Sequence, residues 1–520
     1  MPKRWPFMVG LPLAMACAGP ALAQDGAQLL EQSCGGCHQP VEGGLERIKD
    51  QRKTPEGWDM TIVRMMQLHG VDLADDDRRA LVKHLADTQG LAPSEAAGWR
   101  YILEREPAVF EQPPSDELAT MCARCHSYAR VALQRRTEEE WRKLAHFHLG
   151  QYPTTEYQAL GRDRNWWEIA SEELPPELAE LYPLESQAWQ DWQAQDKPDL
   201  AGEWRFVGFG PVSGHFEGES TVTAEGDDRY TVQAEARYAN GETVEGRGSG
   251  IVYTGYEWRG SMPVGERTIR EVYEAAPDGR SASGRWFYAD SDSIGGPVVL
   301  VRSDGPPQVL SVVPPYLKAG ESAELAIHGI GLGEQVDLGE GVTVDEVVSA
   351  SPKTVVVRAS AAGEAQNGLR DVTAGEASGD GLLTVYDQIA EVTVEPPYNI
   401  ARVGGGGGPI PPVPAAFTAV GWAEGPDDMV RVGPMPATFA IENIDEVAES
   451  MDDASFAGTM APESGLFQPA EAGLNPERPF DTNNAGNLKV IATVEDGGQT
   501  VTGEGQLLVT VQRWNDPPIR

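Results

Sequence analysis

This sequence predicts a multidomain chain: an all-α domain at the N-terminus and three all-β domains behind it, one barrel-like and two immunoglobulin-like sandwiches. Three observations lead there. The 520 residues exceed what one hydrophobic core organises. Apolar residues recur at helical spacing up to about residue 165. From about residue 199 they alternate instead, in short runs broken by glycine turns. The expected boundaries are 1–23 for a leader, 24–198 for the helical domain, 199–303 for the barrel, 304–387 for the first sandwich and 388–520 for the second.

The leader reads as a secretory signal peptide. Lys3 and Arg4 supply the charge, Trp5 to Ala18 is mostly apolar, and Ala21-Leu22-Ala23 is a small-x-small cleavage site. A lipoprotein signal through Cys17 is the weaker reading, because Ala14 stands where a larger aliphatic residue is usual. No other apolar run reaches the ~18 residues of a membrane span. The mature chain is therefore expected in the periplasm, without a membrane span.

A helix over Gly26–Cys34 runs into Cys34-Gly35-Gly36-Cys37-His38. A second begins at Thr54-Pro55-Glu56, a cap, an N1 proline and an acidic first turn, and carries Trp58, Ile62, Val63 and Met66 at helical spacing. A third, Asp75–Thr88, has Leu81, Val82 and Leu85 on one face, with Gly90 after it. Beyond Cys122-Ala123-Arg124-Cys125-His126, Thr137-Glu138-Glu139-Glu140 resembles a capping box and opens a helix with Trp141, Leu144, Ala145 and His148. A Trp-rich acidic stretch, 165–197, holds Pro175-Pro176 and a further helix over Glu177–Gln193.

The β region opens with Tyr230–Tyr238, the turn Asn240-Gly241 and Thr243–Tyr253, a hairpin pattern suited to a barrel. Pro306-Pro307 and Pro314-Pro315 open the next unit, with strands at Ala323–His328, Val342–Val348 and Thr354–Arg358. The last unit has strands at Val392–Glu395, Lys489–Val494 and Gln506–Gln512. Its Gly404–Gly408 string lacks the strand, helix and Lys-Ser/Thr pair of a phosphate loop, so a mobile or closely approached loop is expected.

The chemistry lies in the two C-x-x-C-H stretches. Two cysteines one short turn apart form thioethers to the two vinyl groups of a porphyrin, and the adjacent imidazole reaches the iron. The rival readings are a zinc half-site, which needs more Cys or His at ligand spacing, and a thioredoxin-like pair, which needs a βαβ setting. Of five cysteines, Cys17 leaves with the leader and the other four fill the two motifs. Two covalent haem c groups are expected, on Cys34, Cys37 and His38, and on Cys122, Cys125 and His126.

The helices after each motif align as a repeat, Gly57-Trp58 through Met65 against Glu140-Trp141 through His148. Met65 falls opposite His148, and both types serve as sixth ligand of a low-spin haem. Met60, Met66 and His69 compete at the first site and His146 at the second. His215 and His328 are expected to be ordinary surface or loop residues. No G-x-S-x-G or H-E-x-x-H motif is present. The net charge of −39 and the lack of a basic stripe argue against nucleic-acid binding. Its bland role is a solvated surface, its functional one electrostatic docking or repulsion of partners.

The chain also resembles the α subunit of quinohaemoprotein amine dehydrogenase. The resemblance rests on the domain order, on Tyr398-Asn399-Ile400-Ala401-Arg402-Val403 running into the glycine string and Pro409-Ile410-Pro411-Pro412-Val413-Pro414, and on two further strings. These are Gly465-Leu466-Phe467-Gln468-Pro469-Ala470 continuing to Asn475-Pro476-Glu477-Arg478, and Asn483-Asn484-Ala485-Gly486-Asn487-Leu488. It implies assembly with a β-propeller subunit and a small subunit carrying a cysteine tryptophylquinone, where a primary amine is oxidised to aldehyde and ammonia. Electrons would leave through the haems to an azurin-like copper protein or a small cytochrome c, and no catalytic residue would lie on this chain. A cytochrome subunit of another periplasmic dehydrogenase, such as an alcohol oxidiser, and a stand-alone carrier whose β domains bind a partner are the alternatives.

Overall fold

The computed structural model describes residues 25–511 apart from 153–154, 156–162, 407 and 409; the expected leader, with Cys17, lies outside the described residues. Helix α1 (Gly26–Cys34) is capped by Asp25, whose Oδ1 accepts from the Ala27 N–H at 3.1 Å. Helix α2 (Pro55–His69) is capped by Thr54 and stopped by Gly70, which takes the left-handed φ of 70° that a side chain disfavours. Helix α3 (Asp75–Gln89) carries three aspartates in its first turn, where the helix dipole favours them. Trp58 and Ile62 of α2 bury against Leu81, Val82, Leu85 and Ala86 of α3, with Leu30 and Cys34 of α1 at the edge.

A second lobe repeats the plan. After the short α4 (Pro93–Ala96), helix α5 (Asp116–Cys122) leads into the second motif, and α6 (Ala129–Ala132) and α7 (Glu138–Gln151) follow. Leu118, Tyr128, Val131, Ala132 and Trp141 form its core with Leu174, Leu178 and Tyr182.

This domain is not wholly helical. Strands β1 (Pro40–Val41) and β2 (Gly44–Leu45) make a small hairpin after the first motif. Strand β3 (Gln51–Lys53) pairs antiparallel with β4 (Gln134–Arg136), in the register Gln51↔Arg136, Arg52↔Arg135, Lys53↔Gln134. The paired strings are copies of one another, Gln51-Arg52-Lys53-Thr54 and Gln134-Arg135-Arg136-Thr137. Each threonine then caps its helix, Thr54 Oγ1 accepting from the Gly57 N–H and Thr137 Oγ1 from the Glu140 N–H, both at 3.3 Å. An antiparallel pairing of equivalent strands creates a local two-fold axis. It passes between Arg52 and Arg135 and relates the two lobes.

The ribbon is held by buried charge. The Glu95 carboxylate takes two bonds from the Arg52 guanidinium, at 2.8 and 2.9 Å, and one from Arg135 Nε at 3.2 Å. Arg52 also donates to the carbonyls of Gly90 (3.0 Å) and Leu184 (2.6 Å), and Arg135 to that of Ala132 (2.7 Å). The expected helix over Glu177–Gln193 is broken at this point into Leu174–Leu181 and Gln187–Ala194. Pro183 has no N–H to continue a helix, Arg52 holds the carbonyls of 183 and 184, and Ser186 caps the restart through the Trp189 N–H at 3.1 Å.

Strands β5 (Gly202–Gly210), β6 (Gly214–Gly226), β7 (Arg229–Tyr238), β8 (Thr243–Tyr253), β9 (Glu257–Val264), β10 (Arg267–Ala275), β11 (Ser281–Tyr288) and β12 (Ser291–Arg302) close an antiparallel barrel in which β12 pairs back onto β5. Trp204, Phe206, Trp258, Met262 and Trp286 fill it. The turn between β8 and β9 docks on the helical domain: the Thr254 N–H donates to Asp87 (2.8 Å) and the Tyr256 hydroxyl to the Leu91 carbonyl (3.1 Å).

His215 and His328 are not the surface or loop residues expected. Both are half-buried on strands, β6 and Ser322–Ile330, where the barrel meets the third domain. Burial there holds each at about 4. Their strands alternate as usual, but the outward face meets a neighbouring domain instead of water.

In the third domain eight strands share one hydrogen-bonded sheet, and Val309, Leu325, Ile327, Val355, Val357 and Leu383 fill its core. The three expected strands lie within Ser322–Ile330, Val342–Ala350 and Thr354–Ala361. The fourth domain holds sheets of three, four and three strands around Phe417, Phe467, Leu488, Val490 and Leu507. A Cβ on Gly404 would meet the Pro411 backbone at 2.5 Å, so this part of the glycine string is a closely approached loop.

Glu95 is the shared counter-charge of two buried guanidinium groups, Arg52 and Arg135. Burial opposes its charge, but the hydrogen bonds from Arg52 and the Arg135 and Arg52 charges prevail and hold its carboxyl at about 2, below its ordinary 4.5. Its contribution is complete above the ordinary value and is lost as pH falls toward 2. Glu95→Gln leaves two buried guanidinium groups short of a counter-charge and is expected to cost ~3–5 kcal/mol at neutral pH. Denaturant unfolding followed by Trp fluorescence measures this; a loss below ~1 kcal/mol would contradict the role given to Glu95.

Candidate haem sites

Each motif sits where a helix ends. The N–H groups of Cys37 and His38 return to the Cys34 carbonyl at 3.1 and 2.9 Å, winding the chain into one tight turn after α1. Cys37 and Cys125 are exposed, Cys34 and Cys122 half-buried, and none of the four is in a disulfide. Burial, with Glu177 and Glu117 nearby, pushes Cys122 up to about 12; burial and Cys37 raise Cys34. Such thiols stay protonated at neutral pH, unlike the low-pKa thiol of a thioredoxin-like pair. Among the described residues no group of three or more His, Cys, Asp or Glu is gathered to hold a metal, so neither pair gains the further ligands of a zinc site there.

The three histidines share one device. Nδ1 of His38 lies 3.1 Å from the Glu46 carbonyl, that of His126 2.9 Å from Ser127, and that of His148 2.8 Å from Leu144. Donation from Nδ1 to a carbonyl selects the tautomer whose Nε2 binds a metal. Burial lowers the pKa of His148 and, against the Leu144 carbonyl, His126, Arg64 and Arg136 lower it further, which favours the neutral, ligating form.

The structure brings His126 and His148 together across the second lobe, with ring centroids 6.3 Å apart and planes at 39°. Imidazole–metal bonds are ~2 Å long, so two rings joined through one metal have centroids ~6 Å apart. A haem iron therefore fits between them. Phe147 and Tyr152 flank His148 at 6.0 and 5.8 Å. His146, the competitor, packs edge-on against Trp167 at 4.8 Å and belongs to another face.

At the first site Met65 is half-buried at the position on α2 that the two-fold makes equivalent to His148 on α7. Its neighbour Met66 joins the apolar packing beside Cys34 and Ile62. His69 is exposed at the end of α2, and Met60 is 45% exposed. Arg64 and Phe147, also equivalent in the repeat, meet at 4.8 Å, guanidinium over ring, so the ligand-bearing helices touch at the axis.

One residue of the second site gave no sequence signal. Cys125, His126, Ser127, Tyr101 and Glu111 line an open cleft of about 450 Å³. The Glu111 carboxylate accepts from the Tyr101 hydroxyl (2.6 Å), the Ser127 hydroxyl, and the N–H groups of Tyr128 (2.6 Å) and Ala129 (3.0 Å). Burial opposes its charge, but these bonds prevail and lower its pKa. Glu111 thus fixes the turn that leaves His126. It stands alone in a proline-bearing loop, with no spacing to mark it.

Comparison with known families matches the chain in four consecutive segments. Residues 24–189 match "Quinohemoprotein amine dehydrogenase A, alpha subunit, haem binding", and residues 197–303, 306–387 and 392–519 match domains II, III and IV of the same alpha subunit. No curated protein matches. Among solved structures, a redesigned β-barrel bound to DFHBI is 12% identical, covering 20% of this chain and 94% of its own, with a TM-score of 0.18. The Bacteroides ovatus mixed-linkage glucan utilization locus protein SGBP-B, in complex with a mixed-linkage heptasaccharide, is 11% identical over 41% of this chain and 49% of its own, with a TM-score of 0.20. Drosophila N-cadherin EC1-3 is 11% identical over 56% and 91%, with a TM-score of 0.21. At these scores the structural likenesses carry no functional weight.

Glu111→Ala removes the acceptor of two hydroxyls and the Tyr128 N–H, leaving Ala129 N–H only its bond to Ser127 Oγ, and is expected to cost ~1–3 kcal/mol locally. Haem on the peptide containing Cys122 and Cys125 should fall while that on Cys34 and Cys37 stays. Peptide mass spectrometry reads both; full loading of both peptides with unchanged melting would contradict this.

Proposed function

The chain belongs to the family of quinohaemoprotein amine dehydrogenase alpha subunits, and from that premise we propose that it is the di-haem electron-transfer subunit of a periplasmic complex that oxidises primary amines to aldehyde and ammonia. It would take electrons from a cysteine tryptophylquinone on a small partner subunit. It would deliver them to an azurin-like copper protein or a small cytochrome c. The facing pair His126 and His148, each with Nδ1 tied to a carbonyl, is the observation that carries the reading.

Bound at these sites, haem c supplies one-electron centres that accept and release electrons without proton chemistry on the chain. The thiols of Cys34 and Cys37, and of Cys122 and Cys125, form the thioethers. His38 and Met65 would hold the first iron, and His126 and His148 the second. Carbonyls of Glu46, Ser127 and Leu144 orient the three imidazoles. A thioether sixth ligand raises the potential over a second imidazole, so the first haem is the better exit toward an external carrier.

The domain limits read from the sequence, 199–303, 304–387 and 388–520, fit this role, with the last two units as immunoglobulin-like sandwiches. Over 300 residues of β structure exceed what a carrier needs. They provide the surface on which a β-propeller subunit and the quinone subunit assemble. The leader, 1–23, directs export.

Mass spectrometry of the denatured mature chain should show two haem additions; one or none contradicts the proposal. The sulfur-to-iron charge-transfer band should vanish in Met65→Ala and persist in His148→Ala. A band that survives Met65→Ala moves the first sixth ligand elsewhere.

A further inference from the structure

The face of the β3–β4 ribbon opposite Glu95 has a different charge balance. Lys53 and Arg136, equivalent in the repeat, are 2% and 5% exposed. Lys53 Nζ lies 4.8 Å from the centroid of Trp58, and Arg136 lies 5.6 Å from that of Trp141, each cation over the repeat tryptophan of its own lobe. The hydrogen-bond partners of both are neutral: Thr61 Oγ1 for Lys53, at 2.9 Å, and Gln134 Oε1 for Arg136, at 2.8 and 3.1 Å. Arg64, on the axis between them, donates to Thr61 Oγ1 at 3.2 Å, while its Nε is buried with no hydrogen-bond partner.

The carboxylate in this cluster is Glu140, 1% exposed, and it is already engaged. Arg47 reaches it at 3.1 Å, Lys143 at 3.1 Å and Gln51 at 3.0 Å, whereas Arg136 stays 3.9 Å away. Three cations therefore meet at the two-fold axis around a carboxylate that other groups occupy. Burying uncompensated charge is costly. Burial, followed by Arg136 and Arg64, drives Lys53 well below its ordinary range, a strain that an added anion would relieve.

The place of the cluster limits what that anion is. Arg64 precedes Met65 on α2 and stacks on Phe147, whose ring is 6.0 Å from that of His148. Arg136 ends β4, one residue before the Thr137 cap of α7, the helix that carries His148. Arg64 is thus one ring removed from His148, Lys53 shares Thr61 Oγ1 with Arg64, and every haem c brings two carboxylates on its edge.

We propose that Lys53, Arg64 and Arg136 receive a propionate carboxylate of the second haem, orient that haem and raise its reduction potential. This rests on the assignment of two haems made above. Charge-assisted bonds from guanidinium and ammonium groups suit a carboxylate. Cations beside a haem favour its reduced form, which carries one more electron. The two-fold then acts electrically as well as geometrically: one cationic cluster is shared by both lobes, beside the contact between their ligand helices.

The test uses the full-length holoprotein carrying Lys53→Met, Arg136→Met or Arg64→Gln. Resonance Raman spectroscopy reads the propionate-bending band, and spectroelectrochemical titration reads the reduction equilibrium. Each variant should shift the band and move the second haem about tenfold toward the oxidised form, ~59 mV for one electron. Arg64 is only half-buried, so Arg64→Gln decides the matter if the two buried substitutions prevent folding. An unmoved band and an unmoved potential in a variant with two haems and native circular dichroism would overturn the proposal. Fewer than two haems on the wild-type chain would instead overturn the assignment beneath it.

Discussion

Two three-residue strands, paired across a two-fold and pinned by one buried carboxylate, set the geometry on which the rest of this subunit depends. β3 and β4 contribute little as a sheet. They nevertheless put equivalent residues of two lobes in register, and Glu95 locks that register by engaging Arg52 and Arg135 together. Each strand runs into a threonine cap and then a helix. Fixing the ribbon therefore fixes where α2 and α7 start, and so where Met65 and His148 lie.

The same ribbon separates two electrostatic environments. On one side the guanidinium groups meet an anion built into the protein and a ring of carbonyls, which makes that side purely structural. On the other side Lys53, Arg64 and Arg136 meet aromatic faces and neutral oxygens. Strand alternation is enough to produce this division from the string Gln-Arg-Lys/Arg-Thr. Beyond the ribbon, Arg52 also ends the helix at Leu181 and thereby ties the Trp-rich segment to the lobes. The barrel is joined to the helical domain by hydrogen bonds from Thr254 and Tyr256, so it is held against the lobes.

How much of this was legible depended on length and spacing. Helices of 15 and 14 residues, α2 and α7, show their period clearly, as do barrel strands of 10 and 11 residues, β7 and β8. The C-x-x-C-H stretches are readable because the chemistry fixes their spacing. β3 and β4 are too short to alternate detectably, although their copied strings lay directly upstream of the repeat that was aligned. Glu95 and Glu111 act through partners 40 and 10 or more residues away, which a linear pattern does not display. His215 and His328 read as ordinary surface or loop residues because the neighbouring domain that covers them is a tertiary fact.

Helix phase separates the two candidates at the second site. His146 and His148 are two residues apart on α7, which turns their side chains to different faces. One meets Trp167 and the other His126. The most direct test of the two-lobe arrangement is an anomalous difference map at the iron edge from crystals of the holoprotein. Two iron peaks are expected, one between Nε2 of His126 and Nε2 of His148, the other beside His38, related by the two-fold that runs through the β3–β4 ribbon. A single peak, or a second-lobe iron away from the His126–His148 gap, would contradict it.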